Sequence, residues 1–167
     1  MIGERYQDAT QDEDLTDEGL PVASDITRSI IWMAHLIERY ANARLPTFDL
    51  PPDLTMPRAR LLLAVAAGAA EQTSTRMSDI AFDLGVTART ITTMVDALEQ
   101  DGLVERVPDK QDRRAISLVL TEEGQQRVPH ILHAIEEISQ AVVAPLSPSD
   151  REVLRDLLVR LIERDAD

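Results

Sequence analysis

Between Met77 and Thr121 the chain changes its hydrophobic period from helical to strand-like within one short stretch, and few folds accommodate that. In MSDIAFDLG, Ile80 and Leu84 fall one helical turn apart, the spacing of a helix with one buried side. Ser78 is placed to cap this helix, and Gly85 ends it, because a residue without a Cβ accepts the positive φ of a tight turn. A second helix runs from Thr87 to about Gln100, with Ile91, Met94 and Leu98 on one stripe, and Asp101-Gly102 breaks it. LVERV (Leu103–Val107) and AISLVL (Ala115–Leu120) then read as two strands. The segment between them, PDKQDRR, is polar, so the strands form a long-looped hairpin.

The junction between the two helices is built from residues that suit a close crossing. Ala81 is small where the second helix passes, and Val86, Ile91 and Met94 seal the contact. Thr87, Ala88, Arg89, Thr90, Thr92 and Thr93 are left on the outer side. A small, hydroxyl-rich face with one Arg and no acid suits a helix entering the major groove of duplex DNA. The same hairpin of helices also occurs as an ordinary packing unit with threonines facing water. The strands downstream favour DNA, because they bracket a loop holding Lys110, the only lysine of the chain, with Arg113 and Arg114. A hairpin with basic residues at its tip, directly after a recognition helix, is a wing that reaches a minor groove or grips phosphate. Alternatively, one of these Arg residues pairs with Asp112 and braces the loop.

The other elements are helical. Residues 1–22 lack periodicity and are rich in Asp, Glu, Thr and Gln, the composition of a flexible tail. From about Ser24, Ile26, Ile30, Ala34, Ile37, Ala41 and Leu45 mark one long amphipathic helix, ended by Pro46. Another spans about Met56 to Ala70, with Pro57 in its first turn. Thr121 caps a fifth helix that carries Val128, Ile131, Leu132, Ile135, Ile138 and Val142 on one face, with Pro129 near its start. Ser147-Pro148-Ser149-Asp150 opens a sixth, striped with Leu154, Leu157, Leu158, Leu161 and Ile162. The fold class expected is therefore mainly α with a small β-hairpin wing. The expected division is a tail (1–22), an N-terminal helix and loop (23–55), a winged helix-turn-helix lobe (56–121) and C-terminal helices (122–167).

Charge tests this reading, because a net charge of −13 opposes binding to a polyanion. The acid is unevenly spread. Residues 1–25 carry eight acids and one Arg, whereas residues 56–121 carry nine acids and eight bases. Screening limits the reach of charge to roughly 8 Å in physiological salt, so local basic clusters act locally. Cysteine is absent, which excludes disulfides and thiolate chemistry. No basic-then-apolar leader and no run of transmembrane length is visible, so a cytoplasmic protein with no membrane partner is expected.

DRRAISLVLTEEG, with Asp112, Arg113, Arg114, Leu120-Thr121 and Gly124, resembles the wing-to-helix signature of the MarR family of transcriptional regulators. IAFDLGVTARTITTMVDALEQDGLVERV resembles that family's helix-turn-helix, and the order of elements matches over roughly residues 25–165. The resemblance implies a homodimer built from the first, fifth and sixth helices, which makes 23–55 and 122–167 the dimerisation segments, with two winged lobes on one pseudo-palindromic operator. It also implies repression relieved by a small molecule or another signal. Family ligand pockets lie near the first, second and fifth helices, which points to Trp32, His35, Tyr40, Phe48 and Arg60 as the lining for an aromatic or carboxylate ligand. The competing role for Trp32 and Tyr40 is packing at the dimer interface.

Other chemistry is thinly supported. His130 and His133 stand at i and i+3, a spacing that can bind a metal, and His35 is a possible third ligand. Two helical histidines at this spacing more often face solvent or an interface, and no metal or cofactor is assigned. Acid pairs such as Glu136-Glu137 point about 100° apart on a helix and do not converge on one substrate atom. No phosphate-binding glycine loop or nucleophile motif is present, so no enzyme is expected. The alternatives to a DNA-binding regulator are a winged helix used only for protein contacts and a metal-responsive regulator.

Overall fold

The computed structural model describes residues 22–73, 75–109, 112 and 114–163. Most of the acidic tail, with Lys110 and Arg113 of the wing, lies outside the described residues. The chain divides into a first unit ending at Leu36 and a second, Ile37–Asp167. Helix α1 covers Val22–Arg44, starting two residues ahead of the expected Ser24. In the first unit its Ile26, Ile30, Ile31, Trp32 and Met33 are all exposed.

In the second unit, Pro46 does end α1, by forcing a 3-10 turn over Leu45–Phe48 that stops at Asp49 in the left-handed region, φ 56°. Asn42 Oδ1 accepts from the Met56 backbone N–H at 2.7 Å, which ties the end of α1 to the start of α2 (Met56–Glu71). Thr55 occupies the cap position there without a side-chain capping bond, since Asn42 takes that role. Helix α2 buries Ala59, Leu61, Leu62 and Val65 and packs against the hairpin and three later helices.

Helix α3 is Met77–Asp83. Its expected cap is corrected: Ser78 lies inside the first turn with its hydroxyl on Asp79 at 3.0 Å, and Arg76 holds the cap position without a side-chain bond. The start is displaced because Arg76 forms a backbone bridge to Ser117, and the Leu118 N–H donates to the Thr75 carbonyl. Gly85 turns the chain at φ +64°, and the Val86 N–H donates to the Ala81 carbonyl at 2.9 Å. Helix α4 (Ala88–Gln100) begins at Thr87, whose hydroxyl accepts from the Thr90 N–H. Gly102, at φ +69°, closes it: the Leu103 N–H reaches the Leu98 carbonyl and the Gly102 N–H the Glu99 carbonyl, a Schellman closure.

Strands β1 (Val104–Pro108) and β2 (Ile116–Leu120) pair antiparallel, Val104 opposite Leu120 and Pro108 opposite Ile116. Thr121 caps α5 (Glu122–Val143) as expected, accepting from the Gly124 N–H and donating to the Gly102 carbonyl at 2.6 Å. Pro129 stands inside this helix. Ser147 likewise caps α6 (Pro148–Glu163), accepting from the Asp150 N–H.

The core is aliphatic. Leu45, Leu54, Leu61, Leu62, Leu98, Leu103, Leu118 and Ile131 are completely buried, with no aromatic ring among them. Each such side chain contributes about 1.5–3 kcal/mol on removal from water. On α5 the buried face is Gly124, Ile131, Ala134 and Ile138, while Leu132 of the expected stripe is exposed. Helix α6 buries nothing, and Leu154, Leu157, Leu158, Leu161 and Ile162 all face outward.

Candidate nucleic-acid interface

Four apolar residues of α4, Ile91, Met94, Val95 and Leu98, are buried, and this fixes what the helix shows outside. Thr87, Ala88, Arg89, Thr90, Thr92 and Thr93 are all exposed. Arg89 and Thr93 lie one turn apart, near the direction opposite the buried stripe. Thr92 donates its hydroxyl to the Ala88 carbonyl at 2.8 Å, and Thr93 to the Arg89 carbonyl at 3.1 Å.

Acids do occur further along the same helix, and the structure pairs two of them with one cation. Arg106 of β1 donates to Asp96 Oδ1 at 2.6 Å and to the Glu99 carboxylate, which also accepts the Arg106 backbone N–H. One arginine thereby bridges two carboxylates and locks the hairpin to α4. A charge-assisted pair with two acceptors is stronger than a neutral bond, although Asp96, 61% exposed, is screened by water.

A second ion pair braces the loop end of the hairpin, where Asp109 follows Pro108. Arg76 donates to Asp109 Oδ1 at 2.6 Å, and the half-buried pair raises the Arg76 guanidinium above its ordinary pKa through the hydrogen bond to Asp109. Asp109 also accepts from the buried Ser117 hydroxyl at 2.8 Å and from the Asp112 N–H at 2.9 Å. Asp112 in turn accepts the Arg114 backbone N–H at 2.9 Å. The carboxylates thus stiffen the loop by holding its backbone, while the Arg114 residue is exposed. None of Arg76, Asp96, Glu99, Arg106, Asp109 and Ser117 was legible as functional. Each partnership joins residues of opposite charge or polarity on different elements, and no local spacing marks it.

The residues expected to line a ligand pocket fall into both units. Trp32 and His35 belong to the first, with rings 6.0 Å apart on α1. Tyr40 and Phe48, in the second, pack partly buried on the core, and Arg60 is exposed. Phe48 meets His133 edge-on at 5.8 Å, with the Arg44 guanidinium over its face at 5.8 Å. Of the histidines, His130 lies 3.8 Å from Asp49 Oδ2, beside Arg127, which donates to the Asp49 carbonyl. Among the described residues no group of three or more His, Cys, Asp or Glu is placed to hold a metal. An open groove of 1350 Å³ behind the hairpin has Ala69, Arg76, Asp109, Ser117 and Gln125 in its wall.

Residues 54–116, spanning α2 to the start of β2, match the model of the MarR family. Over this segment the chain is similar to the MarR family. It is 32% identical over 84 residues to the transcriptional regulator PecS of Dickeya dadantii, covering 50% of this chain and 51% of that protein. It is 33% identical over 87 residues to the repressor YetL of Bacillus subtilis, covering 52% of each. The chain thus spans about half the length of these curated relatives. Similarity of fold reaches further. A mutant E. coli MarR complexed with operator DNA superposes with a TM-score of 0.73 at 23% identity, over 89% of this chain and 99% of that one. The Staphylococcus aureus MepR–DNA complex gives 0.68 at 25%, over 87% and 99%. The Streptomyces coelicolor PcaV regulator with its natural ligand gives 0.69 at 23%, over 87% and 96%. The architecture is the winged helix-turn-helix of these MarR structures. No helix among the described residues is long and apolar enough to cross a membrane.

Proposed function

We propose that the chain is a sequence-specific, duplex-DNA-binding transcriptional regulator and not an enzyme. It acts as a homodimer on a pseudo-palindromic operator, in the cytoplasm, and represses until a small aromatic or carboxylate ligand releases it. The observation that carries this reading is the exposed, acid-free half of α4 from Thr87 to Thr93, held beside a braced hairpin. In this reading α4 enters the major groove and Arg89 contacts a base edge. Arg114, with Lys110 and Arg113, meets phosphate or the minor groove. The lobe of residues 56–121 reads DNA, while residues 23–55 and 122–167 supply the dimer. Exposed apolar stripes on α1 and α6 support that role, since surfaces of this kind are buried between subunits. The relatives named as regulators and repressors, and the similar structures that hold DNA, support the same function. Ligand control rests on the similar PcaV structure and on Trp32, His35, Tyr40, Phe48 and Arg60 as the recognising set.

Selection of binding sites from random duplexes, followed by titration at rising salt, tests this. A palindromic site is expected, with log affinity falling by about 0.9 per phosphate contact for each decade of salt. Failure to enrich any sequence, with no salt dependence, would leave a protein-contact module.

A further inference from the structure

The hydroxyl hydrogens along α4 are already committed, and this decides what the helix can read. Thr92 and Thr93 each donate to the carbonyl four residues back, Ala88 and Arg89. A hydroxyl has one hydrogen and two lone pairs, so each of these side chains turns only acceptor lone pairs and a methyl group outward. The first turn is different. Thr87 accepts the Thr90 N–H at 3.1 Å, and the two hydroxyl oxygens lie 2.9 Å apart. That contact uses one hydroxyl hydrogen of the pair and leaves one over. The N-terminal edge of the helix therefore keeps a donor, where the positive end of the helix dipole also favours phosphate. One turn further in there are acceptors alone.

We propose that, given the DNA-reading function above, Thr92 and Thr93 are specificity-determining residues that accept from an exocyclic amino group in the major groove, adenine N6 or cytosine N4. Phosphate oxygens are acceptors, as are guanine O6 and N7 and thymine O4, and none of them can bond to a side chain that offers only lone pairs. The adenine and cytosine amino groups are the two donors exposed on base edges in that groove. Arg89, which only donates, takes the complementary acceptor edge of a guanine one turn away. The exposed face thus divides between one side chain that reads acceptors and two that read donors.

Site selection with the wild type, T92V, T93V, T92S and T93S tests the proposal. Valine keeps the size and branching of threonine without the hydroxyl, and serine keeps the hydroxyl without the methyl. At least one valine variant is expected to lose roughly fivefold discrimination, the worth of one neutral hydrogen bond, at a base pair where the wild type selects adenine or cytosine. Its serine counterpart keeps the preference. Replacing that base by purine or 2-pyrimidinone, which lack the amino group, weakens the wild type by the same factor and leaves the valine variant unchanged. Unchanged site preferences in both valine variants would overturn the proposal. So would serine variants as impaired as valine, which would mean that the methyl is read. A uniform loss on all sequences with a flattened salt slope would assign the threonines to phosphate and overturn it too. A wild type that selects no sequence would fail the DNA-reading function itself, before any variant is compared.

Discussion

Gly124→Ala sets helix propensity against packing, with opposite signs. Gly124 lies in the first turn of α5, and alanine is the better helix former there by about 1 kcal/mol. A Cβ at this position would lie 2.0 Å from the Leu103 carbonyl oxygen and 3.0 Å from its carbon. Those atoms are backbone, already tied into the closure of α4 by the Leu103 N–H on the Leu98 carbonyl, so they do not rotate aside. Relief requires the start of α5 to move by roughly 1 Å, since overpacked cores resolve by backbone shifts at about 1–3 kcal/mol. That movement breaks the Thr121 bonds to the Gly102 carbonyl and the Gly124 N–H, about 1 kcal/mol for the cap. The net expectation is a loss of about 2 kcal/mol. With an m-value of about 2 kcal/mol/M, the urea midpoint falls by roughly 1 M. Circular dichroism at matched protein concentration measures it, because the proposed dimerisation would make stability depend on concentration. A variant as stable as the wild type, or more so, would refute the close approach of α5 to Leu103.

Other substitutions examine the remaining parts of the interface. Arg89→Ala should relax base preference at one position per half-site by about 1–3 kcal/mol, and an unchanged selected sequence would make Arg89 a phosphate or structural residue. Asp109→Ala removes the acceptor of Arg76, Ser117 and the Asp112 N–H. It should cost about 2 kcal/mol of stability in urea unfolding and a further loss of operator affinity, so affinity equal to wild type would show that the bracing is dispensable. Leu157→Asp with Leu161→Asp, both on the exposed stripe of α6, should give a helical monomer by analytical ultracentrifugation with little operator affinity. A persisting dimer would place the interface elsewhere.

Much of the candidate site was legible because its signals are local. The caps Thr121 and Ser147, the turn glycine Gly85 and the buried stripe of α4 all act within one or two helical turns of themselves, and the structure uses each of them. Ser78 shows the limit. Its local pattern suits a cap, yet the start of α3 was moved by pairing of Arg76 with Ser117, a residue on the second strand. The same holds for the bracing of the hairpin. Among the described residues Asp112 holds the Arg114 backbone N–H, and the ion pair at the start of the loop joins residues 33 apart, Arg76 and Asp109.

By itself the sequence determined the succession of elements, the fold class, the acid-free outer face of α4 from Thr87 to Thr93 and the aliphatic character of the core. Those follow from periodicity, capping and composition, which are properties of neighbours along the chain. Tertiary structure alone decided three things: that Arg106 would bridge Asp96 and Glu99, that Asp109 would anchor the wing to Arg76, and that Gly124 would have to lack a side chain. The physical reason is common to all three. A charge or a missing Cβ has its meaning in what lies within a few ångströms, and here those neighbours come from elements brought together only by folding.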